Sequence, residues 1–397
     1  MADAKDRFNR QRQATNVNVG TASAFKDASD LSSEEMDFFR EHQPDLNFSV
    51  LQFATGEVYA LRKDNRRYVG WQQFLKESLP ADPIYVETIP GTPIVKSLLA
   101  PLPRRVDYIS ADEKTGSLEV VLLQCPTICY LNPNIGAEKF DRFRELLEYS
   151  AQSRKEVLVT TRPVTQEILD VRAFTGTSTL EEEPPDREED EDEDDDDEDI
   201  VIADGGRVQA GQQPQGAVAM RALAAGVAPI SMARAITEFE NLASQPQIPF
   251  AYVNDCCTAR AHEMCRIMKA NGLRPRKVWN YGHGWRLNNP RATLRVETNS
   301  VPAGFVTWSY HVAPIVRVKR DDGSTKEMVF DPSLFKGPVT IDEWVTTQED
   351  QTSVQHRHGA RYIWFNFLNG EQLTDTHFAR TREMFRHHRE QLNEANN

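Results

Sequence analysis

The sequence predicts an α+β protein: two folded units joined by an acidic, disordered linker. Three patterns carry this reading. Between Asn47 and Phe174, the runs "FSVLQF", "EVYALR", "IYVETI", "RVDYIS" and "SLEVVLLQ" read as strands. Between Glu181 and Asp199 stand 16 acidic residues and one arginine, a net of −15. From Ile248 onward, a capped helix is followed by two strands around a turn.

Taking the elements in order, residues 1–46 read as a mobile polar tail with one short helical signal, "SSEEMDFFREH". The start of the chain has neither an apolar core nor a cleavage site, so it does not read as a secretory signal. Residues 47–175 form the N-terminal α+β domain. "ISADEKTGSLEV" carries a turn signal between two strands, a hairpin. "GAEKFDRFRELLEYSAQSR" places Phe140, Phe143, Leu146 and Leu147 at helical spacing. No catalytic constellation stands out there, and Cys125 and Cys129 read as two buried small hydrophobes. Residues 176–215 form the linker. Like charges repel and there is little apolar surface to bury, so the segment stays unfolded.

The whole chain carries −14, so the residues outside the acidic run sum to about +1 (−14 less −15). The charge therefore points to no cationic partner of the folded parts. Neither a nucleic-acid partner nor a membrane span is expected, since no apolar run reaches about 18 residues. Five cysteines in 397 residues do not make a disulfide scaffold. We expect a reducing compartment, or export without a cleaved signal.

The C-terminal domain, 216–397, holds the chemistry. In "VNDCCTARAHEMCRIMKANG", Asp255 is the expected N-cap and Asn271-Gly272 the expected end, giving a helix over Cys256–Ala270. Cys257, Ala261, Met264, Cys265 and Met268 form its apolar stripe. Cys256 heads a row with Arg260 and Glu263 that is expected to face solvent more. Cys257 thus lies on the packed face of the first turn, where free N–H groups and the helix dipole favour a thiolate. Zinc would need four well-placed ligands, and this spacing offers no CxxC pair or second cluster. A disulfide between adjacent cysteines is strained. A lone cysteine at a helix start is most often structural, so the nucleophile reading depends on a partner base.

"GFVTWSYHVAPIVRVKRDDGSTKEMVFDPSLF" supplies one. Phe305–Lys319 alternates as a strand, Asp321-Asp322-Gly323 turns, and Glu327–Phe330 returns antiparallel. His311 lies inside the first strand, and Asp331 ends the second, just before Pro332. An even loop would put them on opposite faces. A three- or five-residue loop, or a bulge near Pro314, puts both on one face, and that is our expectation. The order Cys257, His311, Asp331 is then that of a thiol acyl-transfer triad: the thiol attacks, the imidazole shuttles the proton, and the carboxylate fixes the imidazole. No other histidine has this setting. His262 reads as structural, His283 sits in a glycine-rich loop, and His356 and His358 sit in a polar loop. His377, His387 and His388 are expected on the surface of a C-terminal helix.

The stretches "IPFAYVNDCCTARAHEM", "VWNYG", "WSYHVA" and "FDPSLFKGPVTIDEW" resemble the protein-glutaminase family, bacterial enzymes that deamidate glutamine side chains within proteins. They lie in family order over about residues 248–344. The resemblance places the nucleophile on Cys257, the histidine on His311 and the aspartate on Asp331. It implies a fold similar to the transglutaminase or papain core, a cysteine-bearing helix packed on an antiparallel sheet. It implies protein or peptide substrates carrying glutamine, and no cofactor or metal. The extra cysteines of secreted members are missing around "VPAGFVTWSYH", which fits a reducing compartment. Secreted members also carry a pro-region over the cleft. By that analogy residues 47–175 either inhibit through an intramolecular contact with the active site or act as a targeting module.

Three alternatives share these residues. A transglutaminase or a cysteine protease uses the same triad with another acceptor, and a non-catalytic binding module would keep the fold alone. A host-directed effector is a biological variant of the deamidase reading.

Overall fold

The computed structural model describes residues 16–40, 47–78, 82–182, 228–251, 254–286, 293–299, 301 and 303–395. The expected linker lies outside the described residues from position 183 on, as do parts of the expected N-terminal tail and His42. The chain divides into two compact units.

The first unit contains β1 (Val17–Asp27), β2 (Phe48–Phe53), β3 (Val58–Arg62), β4 (Pro83–Thr88) and β5 (Val95–Leu99), an antiparallel sheet in the order β3-β2-β1-β4-β5. Its central strand, β1, falls in the stretch that composition assigned to a polar tail. "VNVGTASAFKD" is small and weakly apolar, so no alternation announces it, but the two flanking strands supply its partners. Gly20 is required there: a Cβ on it would stand 2.5 Å from the Phe53 ring. The helix Tyr68–Glu77 buries Trp71 and Phe74 against Leu51, Leu61, Ile84 and Leu98.

The same unit has β6 (Leu102–Arg104), β7 (Val106–Ala111), β8 (Leu118–Leu122), β9 (Cys129–Leu131), β10 (Val157–Thr161) and β11 (Ile168–Ala173) in two three-stranded sheets. β7 and β8 are the expected hairpin. The expected helix spans Ala137–Ser153, burying Phe143 and Leu147. Cys125, which belongs to the second unit, and Cys129 are both buried.

A long helix closes the chain, Ala379–Ala395, and its residues from Arg382 on belong to the first unit. The sequence carried the C-terminal domain through to 397, because nothing in a helix pattern says what covers its face. His387 and His388, expected on a surface, are buried. His387 Nδ1 lies 2.6 Å from the Ala100 carbonyl.

The second unit comprises Gln124–Ile128 and Thr179–Thr381. Its short strands β12 (Glu181–Glu182) and β13 (Ile230–Ser231) precede β14 (Arg276–Tyr281), β15 (Leu294–Glu297), β16 (Phe305–Trp308), β17 (Tyr310–Lys319), β18 (Thr325–Val329), β19 (Val339–Thr340), β20 (Val354–Gly359), β21 (Tyr362–Asn366) and β22 (Glu371–Thr374). The main sheet runs β19-β18-β17-β14-β20, with β13 parallel to β17. Against β17 packs the helix Cys257–Ala270. The unit is thus a cysteine-bearing helix on a mainly antiparallel sheet. His356 and His358, expected in a polar loop, lie on β20. Among the described residues no helix is long and apolar enough to cross a membrane.

Candidate active site

The cysteine helix begins one residue later than expected. Cys256 is its N-cap, in a left-handed conformation at φ 81°, and Cys257 is the first helical residue. Asp255 does not cap the helix. Its carboxylate accepts the Cys256 N–H at 2.5 Å, which stabilises the sharp turn into the helix.

The expectation that the Cys256 row faces solvent is overturned. Cys256, Arg260 and Glu263 are all buried, because this helix is covered on every side through its first turns. Burial therefore does not choose between the two sulfurs. Their places on the backbone differ: Cys256 is the N-cap, and Cys257 stands in the first turn, where the Val312 backbone N–H acts to lower the pKa of its thiol. Val312 follows His311 on β17, the strand against which the cysteine helix packs.

The hairpin settles the face. β17 pairs β18 from Ile315↔Val329 to Lys319↔Thr325, leaving Arg320–Ser324, five residues, as the loop. The odd count brings Asp331 to the face that His311 occupies. His311 Nε2 lies 2.7 Å from Asp331 Oδ2, and both side chains are buried. His311 Nδ1 has no hydrogen-bond partner among the described residues.

Residues that carried no signal of their own complete the setting. Trp344 donates its Nε1–H to Asp331 Oδ2 at 3.0 Å, and the Ser333 backbone N–H reaches Oδ1 at 3.2 Å. The Ser333 hydroxyl donates to the same Oδ1. Two indoles stack on the imidazole, Trp308 with centroids 4.5 Å apart and Trp344 at 5.3 Å. Across the ladder from His311, Asn280 donates to Gln348 Oε1 at 3.0 Å and accepts from Gln355 at 2.8 Å. A tryptophan three residues before a strand histidine was a visible hint for Trp308. Trp344 lies on another element, and only the fold brings it in.

Electrostatics separate the members. Burial pushes the Cys257 thiol well up, while the Arg260 charge and the Val312 N–H pull it down. The expected thiolate at a helix start is thus opposed by desolvation, and the resting group is a thiol. For Asp331 burial also acts upward. The His311 charge and the bonds from His311, Ser333 and Trp344 outweigh it and hold the group at about 2. Asp331 is therefore a carboxylate throughout the neutral range.

The remaining histidines do other things. His262 Nδ1 lies 3.1 Å from the buried Lys277 Nζ, and burial pushes its pKa well down. His283 begins a short helix, and its N–H bonds Asp350 Oδ2 at 2.9 Å. His377 is exposed. No group of three or more His, Cys, Asp or Glu with metal-binding geometry occurs among the described residues. Two residues before His311, Ser309 donates twice to the Pro126 carbonyl, from its N–H at 2.7 Å and its Oγ at 3.0 Å.

Residues 232–348 match the family model described as Glutaminase, a glutamine-deamidase family. A crystal structure of pro-protein-glutaminase is 20% identical, covering 72% of this chain and 90% of that one, with a TM-score of 0.44. The NMR structure of protein-glutaminase from Chryseobacterium proteolyticum is 30% identical, covering 39% of this chain and 84% of that one, with a TM-score of 0.32. No curated protein matches. The matched segment contains Cys257, His311 and Asp331, and by it this chain belongs to the protein-glutaminase family of deamidase-type hydrolases.

Proposed function

We propose that the chain hydrolyses glutamine side chains in proteins or peptides to glutamate, through a thioester on Cys257. One observation carries the assignment of roles. His311 gives Nε2 to Asp331 and keeps Nδ1 unpartnered among the described residues, while the next residue's N–H acts to lower the pKa of the Cys257 thiol.

The steps follow from that arrangement. His311 Nδ1 takes the proton of the Cys257 thiol as the sulfur attacks the carboxamide carbon. This answers the desolvation cost of a buried thiolate, since the charge forms only beside an imidazolium. Backbone N–H groups at the helix start, including that of Cys257, hold the tetrahedral oxyanion. His311 then donates its Nδ1 proton to the leaving amide nitrogen, and ammonia departs. Water attacks the thioester with His311 as base, releasing glutamate and the thiol. Asp331, ionised and saturated with donors, orients the imidazole and stabilises its charge without taking its proton.

The test is ammonia release and mass shift on casein and on a short blocked glutamine peptide, with wild type and Cys257→Ala compared. Water as acceptor gives ammonia and a glutamate product. Crosslinks to an added amine, or cleaved peptide bonds, would redirect the reading to transamidation or proteolysis.

The segment Gln124–Ile128 supports a regulatory extension. It belongs to the unit that holds the triad, and Pro126 takes two hydrogen bonds from Ser309, two residues before His311. We read it as an internal restraint on substrate access. The check is peptide turnover before and after cleavage at a protease site engineered near Gly205. A rise on cutting supports inhibition. An unchanged rate, with cleavage complete, assigns the N-terminal domain to targeting.

A further inference from the structure

The geometry points to Trp344 as a positioning residue for the proposed reaction: its indole N–H locks Asp331 Oδ2 onto His311 while its ring holds the imidazole plane. The inference rests on the deamidase reading, and it adds a fourth member to the working unit.

Trp344 is tied to the triad twice. Its Nε1 lies 3.0 Å from Asp331 Oδ2, the same oxygen that takes His311 Nε2 at 2.7 Å. Its ring stacks on the imidazole, centroids 5.3 Å apart at 26°. A carboxylate with one oxygen held only by His311 could rotate about its own axis. Here Ser333 holds Oδ1 and Trp344 holds Oδ2, so the plane is fixed from both sides. A fixed carboxylate selects the His311 tautomer with the proton on Nε2, leaving Nδ1 for the thiol. The rings of Trp308 and Trp344 both stack on the imidazole and hold its plane.

Trp344 is itself rigidly placed. It sits on the helix Ile341–Thr346, whose start carries a full capping box between Thr340 and Glu343. Its ring is buried among Val278, Ala313, Ile315 and Val329. Gln348 donates to its carbonyl at 2.9 Å, and Gln348 in turn accepts from Asn280, the cross-strand neighbour of His311. A mere core tryptophan would need the burial but not the bond to the one carboxylate that touches His311.

The experiment uses the full chain and the variant Trp344→Phe, which keeps an aromatic ring and removes the N–H. Turnover of a blocked glutamine peptide is measured from pH 5 to 9 beside wild type, with thermal unfolding in parallel. Losing one hydrogen bond to a charged group predicts a fall in kcat of about tenfold or more, with KM within about twofold. It also predicts a displaced pH profile. In the Asp331→Asn background the same change should cost little further, because the two act through one atom. A superimposable pH profile with unchanged kcat overturns the proposal, as does an equal loss in both backgrounds.

Two readouts stand apart from activity and from folding of the variant. By nitrogen-15 NMR of the wild type, the Trp344 Nε1–H should resist exchange and shift when Asp331 is replaced by Asn, and His311 should show the single Nε2–H tautomer. A freely exchanging indole, or a mixed tautomer, overturns the proposal even if wild type proves inactive on glutamine. Inactive wild type with the expected NMR signature would instead count against the deamidase reading alone.

Discussion

Both units bury carboxylates, with opposite results. In the second unit Asp331 is 3% exposed and takes donors from His311, Trp344 and Ser333. It stays ionised, at about 2. In the first unit Glu390 is 2% exposed, and its Oε1 has no partner among the described residues, Asn393 alone of the side chains bonding its carboxyl. Burial, then the charge of Glu394 one turn on, pushes it well above the ordinary range. Glu394 takes donors from Trp71 Nε1 at 2.7 Å and Ser97 Oγ at 2.9 Å. The contrast teaches that depth does not set the charge state. Donors and neighbouring charges do.

The sharpest way to break the comparison is at the sulfur. Cys257→Ala should abolish ammonia release, whereas Cys256→Gly should keep most of it, because glycine suits the left-handed cap that Cys256 occupies. Equal loss in both variants, each folded by circular dichroism, would show that Cys257 is not the sole reacting thiol.

Next comes the carboxylate. Asp331→Asn should lower kcat by roughly 10³–10⁴-fold, with KM little changed, because orientation and charge matter most once the imidazole is protonated. A variant that retains wild-type kcat would reduce Asp331 to a structural cap for the turn before Ser333.

A smaller effect appears on acidification. The folded pKa of Asp331 is depressed, so its stabilisation is present above its ordinary 3.8 and is lost as pH falls through about 2. The amount is on the order of 2 kcal/mol. Denaturant melts of wild type and Asp331→Asn between pH 5 and 2 should converge as the pH drops. Parallel curves would mean that the ion pair contributes nothing.

The smallest effect belongs to the first unit and has the opposite sign. The folded pKa of Glu390 is raised, so its favourable contribution is complete below the ordinary carboxylate value and disappears as pH rises through the folded one. Glu390→Gln should therefore match wild type near pH 4 and exceed its Tm by roughly 2–4 °C at pH 8. A variant less stable than wild type at pH 8 would show Glu390 to be a paired anion after all.

Patterned segments are legible in the residues alone. The hairpin β7–β8, the helix Ala137–Ser153 and the cysteine helix each declare themselves by alternation or helical spacing. The shared face of His311 and Asp331 is legible only in part, since the residues leave an even or an odd loop open and the strand register decides for the odd one. β1 is not legible, because "VNVGTASAFKD" owes its strand to the neighbours that pair with it. Nor is the burial of Cys256, Arg260 and Glu263, since helical periodicity assigns one apolar face and does not foresee a helix enclosed all round.

The sequence by itself determined the chemistry available: a cysteine at a helix start, a histidine in a strand and an aspartate just past the partner strand. These are local facts of residue type and spacing. Tertiary structure decided the rest. It turned the backbone at Cys256 so that Cys257 faces β17, stacked Trp308 and Trp344 about His311, and delivered the indole N–H that anchors Asp331. It also gave the residues from Arg382 on to the first unit rather than the second. The reason is physical. A side chain's charge state and a helix's partner depend on what is packed against them, and those groups come from positions far away in the chain.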